Sequence, residues 1–181
     1  MSIFMGKEKL APRPSYSDIL RGLVGGTLSI FILLILSQIS HHIFIMAPFG
    51  ASCVILYAVS QSPLAQPRNV IFGHFISALV GLIFLKILGA GMLSIAFAVG
   101  VAIALMQYFQ CVHPPAGANP LVILLTANTI HYDWSFLRFP GLTGSVALAV
   151  IAYAVHNFRS NQPWPNNGLA LFKSKIKKIC I

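Results

Sequence analysis

The chain is short of charge, and shortest of acid. Three acidic residues, Glu8, Asp18 and Asp133, stand against twelve Lys and Arg, and charged residues make up 8% of the 181. A soluble domain carries about a quarter. So little polar surface cannot coat a water-soluble globule. No carboxylate lies inside a long apolar run, which argues against a cation pump or a divalent-metal transporter, since those place carboxylates at depth. A phosphate-binding loop is missing, so this sequence holds no device for nucleotide hydrolysis. Paired carboxylates and a Ser/His/Asp arrangement are missing too, and no enzymatic activity and no cofactor are expected. The three cysteines, Cys53, Cys111 and Cys180, have no metal-ligand spacing or paired framework and are expected as thiols. His41 and His42 are neighbours, so on a helix they point about 100° apart. Without other ligands nearby they make a poor metal site, and no metal is expected.

Apolar residues are abundant, at 57%, and they fall in runs. A hydrocarbon core of roughly 30 Å takes about 20 helical residues to cross. The runs at 19–39, 70–88, 92–109 and 142–158 approach or exceed that length and are apolar all round. A chain of this size could not hide so many such helices in a soluble core. The fold expected is an all-α integral membrane bundle of four long spanning helices.

Lys7, Lys9 and Arg13 precede a full-length span with no small-residue cleavage site, so the first helix reads as uncleaved. Basic residues cluster at 7–21 and 159–178, the pattern of cytoplasmic termini under the positive-inside rule. The chain divides into a cytoplasmic segment (1–18), a transmembrane domain (19–158) and a basic cytoplasmic tail (159–181), in a bacterial inner (plasma) membrane. The net charge of +9 is then a topology and lipid signal, and no nucleic-acid partner is expected, because no soluble basic face exists. Lys173, Lys175, Lys177 and Lys178 can meet anionic lipid headgroups, with Trp164 as an interfacial anchor.

The transmembrane part reads as two internal repeats, 19–88 and 89–158. Pro48-Phe-Gly-Ala-Ser-Cys-Val-Ile-Leu and Pro115-Ala-Gly-Ala-Asn-Pro-Leu-Val-Ile open two shorter helices. In one register Pro48 pairs with Pro115, Gly50 with Gly117, Ala51 with Ala118, Ser52 with Asn119 and Gly22 with Gly89. Each half is then a long helix, a shorter Gly-Ala-started helix and a long helix. The short helices are either re-entrant, which makes the repeats parallel, or spanning, which makes them inverted; Pro48 to Ser60 spans about 20 Å as helix, short of the core thickness, which favours re-entry. Repeats with short hydrophobic segments at corresponding places point to a transporter site.

Proline suits a first helical turn and glycine admits close approach of a ligand or another backbone. The first N–H groups of a helix lack intrahelical partners, and leaving them bare in a membrane costs several kcal/mol each. Two such termini, with Ser52 and Asn119 adding polar side chains, favour a small anion; tight packing of small residues is the alternative. Arg68 follows Ser62-Pro-Leu-Ala-Gln-Pro67 and would attract anions at a pore mouth, or serve as an interfacial anchor. His113 could bond substrate or a carbonyl, or titrate to couple protons. His74 lies inside a long span, where a polar ring needs a partner and is a functional suspect by default, and it is the second candidate for proton coupling.

His113-Pro-Pro-Ala-Gly-Ala-Asn-Pro120 resembles the signature of the HPP family of integral membrane proteins, and Phe49-Gly-Ala-Ser52 with Ser62-Pro-Leu-Ala-Gln-Pro-Arg-Asn69 resembles that family's second characteristic stretch. The resemblance implies a bundle of four spanning helices. It also implies nitrite transport, the activity of similar members in cyanobacteria and chloroplasts. Carried onto this chain, it implicates Gly50, Ala51, Ser52, Arg68 and Asn69 in the first half, and His113, Pro114, Pro115, Gly117 and Asn119 in the second. A transporter or channel for a small anion, nitrite favoured, is the expected function, and a homo-oligomer is plausible for so small a chain. The rival is a membrane scaffold that binds a partner protein through its basic tail.

Overall fold

A computed structural model describes residues 12–40, 42, 44–158 and 163–166. His41, Cys180 and the tail lysines lie outside the described residues, and so does most of the 1–18 segment. Six α-helices form, and the described residues contain no strand: α1 (Tyr16–Ser40), α2 (Ala47–Ala58), α3 (Pro67–Leu88), α4 (Met92–Tyr108), α5 (Asn119–Leu125) and α6 (Thr143–Asn157). Short 3-10 turns, Pro63–Ala65 and Pro114–Ala118, lead into α3 and α5.

The boundaries follow local chemistry. Before α1, Ser15 Oγ accepts the Asp18 N–H at 3.2 Å and donates to its carboxylate at 2.6 Å, a reciprocal cap of the kind that starts helices. Pro48 and Pro67 occupy the first turns of α2 and α3, where the missing N–H costs nothing. Gly89, at φ +71°, stops α3 in a left-handed turn that a side chain would resist. Pro140 lies just before the last apolar run. A π-type lead-in, Leu137–Leu142, is bent at Phe139 (φ −130°, ψ 109°) and only then does α6 begin.

Three helical stretches are long and apolar enough to cross a membrane: Tyr16–Ser40, Pro67–Leu88 and Leu137–Asn157, the last only with its bent lead-in. The fourth expected span, α4, has 17 residues and reaches about 25 Å before the chain turns at Phe109, shorter than the other three. Helix α1 buries only Gly25, Ser29 and Leu33, one stripe at four-residue spacing. Its other faces expose Ile19, Leu20, Leu23, Phe31 and Leu34, a surface suited to lipid and not to water.

Helix α3 is central and packs on α4, α5, α6 and both 3-10 turns, while α1 packs on α2 and α6. One end of the bundle gathers Asp18 and Arg21 of α1, the 57–62 stretch after α2, and His156 of α6. The other gathers His42, Ile45, Met46, Ala47, Val122, Thr126 and residues of the 130–140 stretch. Helices α1, α3 and α5 therefore run one way and α2, α4 and α6 the other. The Gly22–Gly89 pairing has no structural counterpart, since Gly22 is inside α1 with open space beside it and Gly89 lies in a turn. Beyond α6, Trp164 is buried against the core, and Asn166 bonds Gln66 and Gln61.

Candidate functional site

The centre of the bundle holds a polar cluster among apolar helices. Ser52, His74, Ser77, His113 and Asn119 are all fully buried. Ser52 comes from the middle of α2, His74 and Ser77 from α3, His113 from the residue before the second 3-10 turn, and Asn119 from the start of α5. Ser52 Oγ lies 2.8 Å from His74 Nε2, 2.8 Å from His113 Nε2 and 3.0 Å from the Pro48 carbonyl. Asn119 Nδ2 lies 3.1 Å from His74 Nδ1, 3.1 Å from the His74 carbonyl and 2.7 Å from Ser77 Oγ. His113 Nδ1 lies 2.9 Å from the Leu64 carbonyl. The Phe49 ring meets His74 edge-on at 4.9 Å.

Hydrogen positions follow from the partners. The His74 carbonyl accepts only, so the Asn119 atom beside it is the amide nitrogen, which makes His74 Nδ1 an acceptor. Neutral His74 then carries its proton on Nε2 and donates to Ser52 Oγ. The Leu64 carbonyl likewise fixes a proton on His113 Nδ1, leaving Nε2 to accept from Ser52. The result is one directed chain from Asn119 through His74, Ser52 and His113 to Leu64. Asn119 Oδ1 is buried without a partner.

Small residues let these elements approach. Gly73, Ser77 and Gly81 recur every four residues along α3. A Cβ on Gly73 would stand 2.8 Å from His113 Cβ, and one on Gly81 3.0 Å from the Pro120 Cα. This stripe seats the second 3-10 turn and α5 on α3. Ser77 is a member of the cluster that sequence reasoning missed, and the Gly-Ser-Gly spacing was the available signal.

The other residues singled out by sequence lie elsewhere. Arg68 Nη2 donates to the Phe109 carbonyl at 2.9 Å and Asn69 Nδ2 to the Val112 carbonyl at 2.8 Å; both brace the start of α3 against the chain leaving α4. Gly50 and Ala51 face outward on α2, Gly117 is half-buried with open space beside it, Pro114 is exposed and Pro115 buried. Bare N–H groups at paired helix starts are few. Pro48, Pro114 and Pro115 have none, the Phe49 N–H is bonded to the Met46 carbonyl, and the Ala116 N–H to the His113 carbonyl. Side chains, not helix termini, supply most of the polarity at the centre.

Two cavities open at opposite ends of the bundle. One, of about 490 Å³, is lined by Ala47, Thr126, His131, Asp133 and Phe139 among others. The second, of about 330 Å³, is lined by Asp18, Arg21, Tyr57, Gln61 and His156 among others. Ala47 and Tyr57 lie at opposite ends of α2, so Ser52 and its partners lie between the cavities. Among the described residues no group of three His, Cys, Asp or Glu is placed to hold a metal.

Two transmembrane proteins of Dictyostelium discoideum are similar in sequence. One is 37% identical over 125 residues, covering 67% of this chain and 44% of the relative. The second is 34% identical over 127 residues, covering 68% of this chain and 41% of the relative. The chain thus spans less than half the length of these relatives. No solved structure matches it. Residues 11–165 match the family model of the HPP transmembrane region, and the chain belongs to that family.

Proposed function

We propose that this protein carries a small inorganic anion across a membrane, nitrite being favoured by the family resemblance, along a path that passes the Ser52–His74–His113–Asn119 cluster. The observation that carries the reading is this cluster, buried midway between two end cavities. Polar side chains at depth in a membrane bundle are expensive and mark substrate paths. The cluster bonds its N–H and O–H groups to one another and to backbone carbonyls and contains neither a carboxylate to hold a cation nor a lysine or arginine to trap an anion, which suits passage of a weakly held anion. Arg68, half-buried at one end, raises the local anion concentration there.

In this reading both termini face the cytoplasm of a bacterial inner membrane. The basic clusters at 7–21 and 159–178 flank in sequence the start of α1 and the end of α6, whereas Lys86, in the last turn of α3, and Arg138, in the lead-in to α6, belong to the opposite end. That asymmetry supports a cytoplasmic placement. Anionic lipid at the basic tail and a homo-oligomer belong to the same proposal.

The test is nitrite uptake into proteoliposomes, with nitrate, formate and chloride as competitors. Saturable flux is expected, lost in Asn119→Ala and Ser52→Ala. In Arg68→Ala the maximal rate persists while KM rises at low ionic strength and returns toward wild type at about 1 M salt, where screening is nearly complete. No flux above empty liposomes under any gradient would refute the transport reading. Retained binding of a partner protein by the tail would then favour a scaffold.

A further inference from the structure

Ser52 has more partners than its hydroxyl has protons. With His113 neutral, Ser52 donates to His113 Nε2 and accepts from His74. If His113 takes up a proton on Nε2, that nitrogen becomes a donor. Ser52 can then accept from both imidazoles and turn its own hydrogen to the Pro48 carbonyl, 3.0 Å away. Both states satisfy the Ser52 hydroxyl and all four imidazole nitrogens, and rotation of one hydroxyl separates them. Few buried clusters have this property, since an added proton normally strands a donor.

A protonated His113 would be a buried cation without an internal counter-charge. The titratable and charged groups on the elements packed around it are Cys53 and Tyr57 on α2, Arg68, His74 and Lys86 on α3, Tyr108 on α4, and Cys111 on its own segment. None is an acid. Arg68 is turned to the Phe109 carbonyl. The chain's three carboxylates are Glu8, Asp18 and Asp133, and Asp18 and Asp133 lie at the two ends of the bundle. An isolated buried charge is very costly, so the proton is tolerable only beside a mobile anion.

We propose that His113 is the proton-carrying residue of an electroneutral symport, in which one proton on His113 Nε2 and one anion cross together and leave together, with Ser52 as the positioning residue that accommodates either state. This rests on the transport reading above and adds stoichiometry and coupling to it. The proton comes from water at one end of the bundle and returns to water at the other. No covalent bond other than the N–H is made or broken.

The experiment measures nitrite uptake and internal pH together in proteoliposomes clamped at zero membrane potential with potassium and valinomycin, with empty liposomes subtracted to remove diffusion of nitrous acid. One proton is expected per anion. A gradient of one pH unit should then drive about tenfold accumulation, the equivalent of about 1.4 kcal/mol. His113→Gln, which keeps a polar side chain but cannot titrate, should lose gradient-driven accumulation, as should Ser52→Ala, while Ser52→Thr, which keeps the hydroxyl, should retain it. Thermal midpoints of the variants separate coupling from folding, and the wild-type stoichiometry decides even if a variant fails to fold. Saturable anion flux without proton movement, set by membrane potential, overturns the coupling and leaves the transport reading standing. Absence of saturable flux for every anion overturns both.

Discussion

Gly73→Ala tests whether the α3 stripe sets the geometry of the central cluster. A Cβ at this position would stand 2.8 Å from His113 Cβ and 3.2 Å from the Cys111 carbonyl, where ordinary contact begins at 3.4 Å. The first contact alone demands a displacement of 3.4 − 2.8 = 0.6 Å. His113 has little freedom to give way, because Pro114 and Pro115 follow it with fixed φ and its ring is tied at 2.9 Å to Leu64 and 2.8 Å to Ser52. A shift of that size carries a bond out of the effective range for N–H···O. Overpacking costs about 1–3 kcal/mol and the weakened bond about 1 kcal/mol more, for a total of about 2–4 kcal/mol. The assay is thermal unfolding in detergent beside nitrite flux, with Gly50→Ala and Gly100→Ala as controls, since a Cβ at either meets nothing within 4 Å. The controls should match or exceed wild type, because alanine is the better helix former by about 1 kcal/mol. A Gly73→Ala midpoint and flux equal to the controls would refute the argument that this contact positions His113.

Two further outcomes are expected. Ser29 Oγ and Tyr57 Oη lie 2.7 Å apart across α1 and α2, both buried; a double-mutant cycle of Ser29→Ala and Tyr57→Phe should show a coupling of about 0.6 kcal/mol, as membrane hydrogen bonds do on average, and zero coupling would mean that packing alone joins these helices. Asp133 accepts from the Ser135 hydroxyl and amide, which holds its carboxyl below the usual carboxylate range. It therefore stays ionised between pH 5 and 8, its contribution to stability being lost only in acid as pH falls through that depressed value. The pH profile of flux in Asp133→Asn should match wild type across that window, and a shifted profile would move the titrating group from the bundle centre to this loop.

The membrane class was legible because length and apolarity act locally, one run at a time. Ser52, His74, His113 and Asn119 were legible singly, as polar groups in apolar surroundings, but their meeting was not. Ser52 and His113 are 61 positions apart, and contact across such a distance depends on how three helices cross. The run at 142–158 missed the helical lead-in from Leu137, because Pro140 hid that the stretch begins earlier, and the run at 92–109 passed the end of α4 by one residue at Phe109. Reading the short-helix starts as bare donors overlooked that proline removes an N–H as readily as it opens a helix, so the motifs that looked richest in donors were poor in them. Arg68 and Asn69 are a comparable case, since a sequence shows a guanidinium and an amide but not that both face the carbonyls of residues 109 and 112.

The two partners of the His74 ring bear on why the cluster is built as it is. Ser52 and Asn119, the residues that align between the two short helices, approach the single His74 ring from its two nitrogens. Their chemistry is nonetheless unequal, and the inequality carries a consequence. A serine hydroxyl both donates and accepts, whereas Asn119 is held to donating by the His74 carbonyl beside it. Two serines would leave the proton order of His74 free to reverse; serine on one side and asparagine on the other fixes it, and places the adaptable group next to His113. An unequal pair of partners on the His74 ring thus gives the chain of hydrogen bonds a direction, which a passive packing contact would not require.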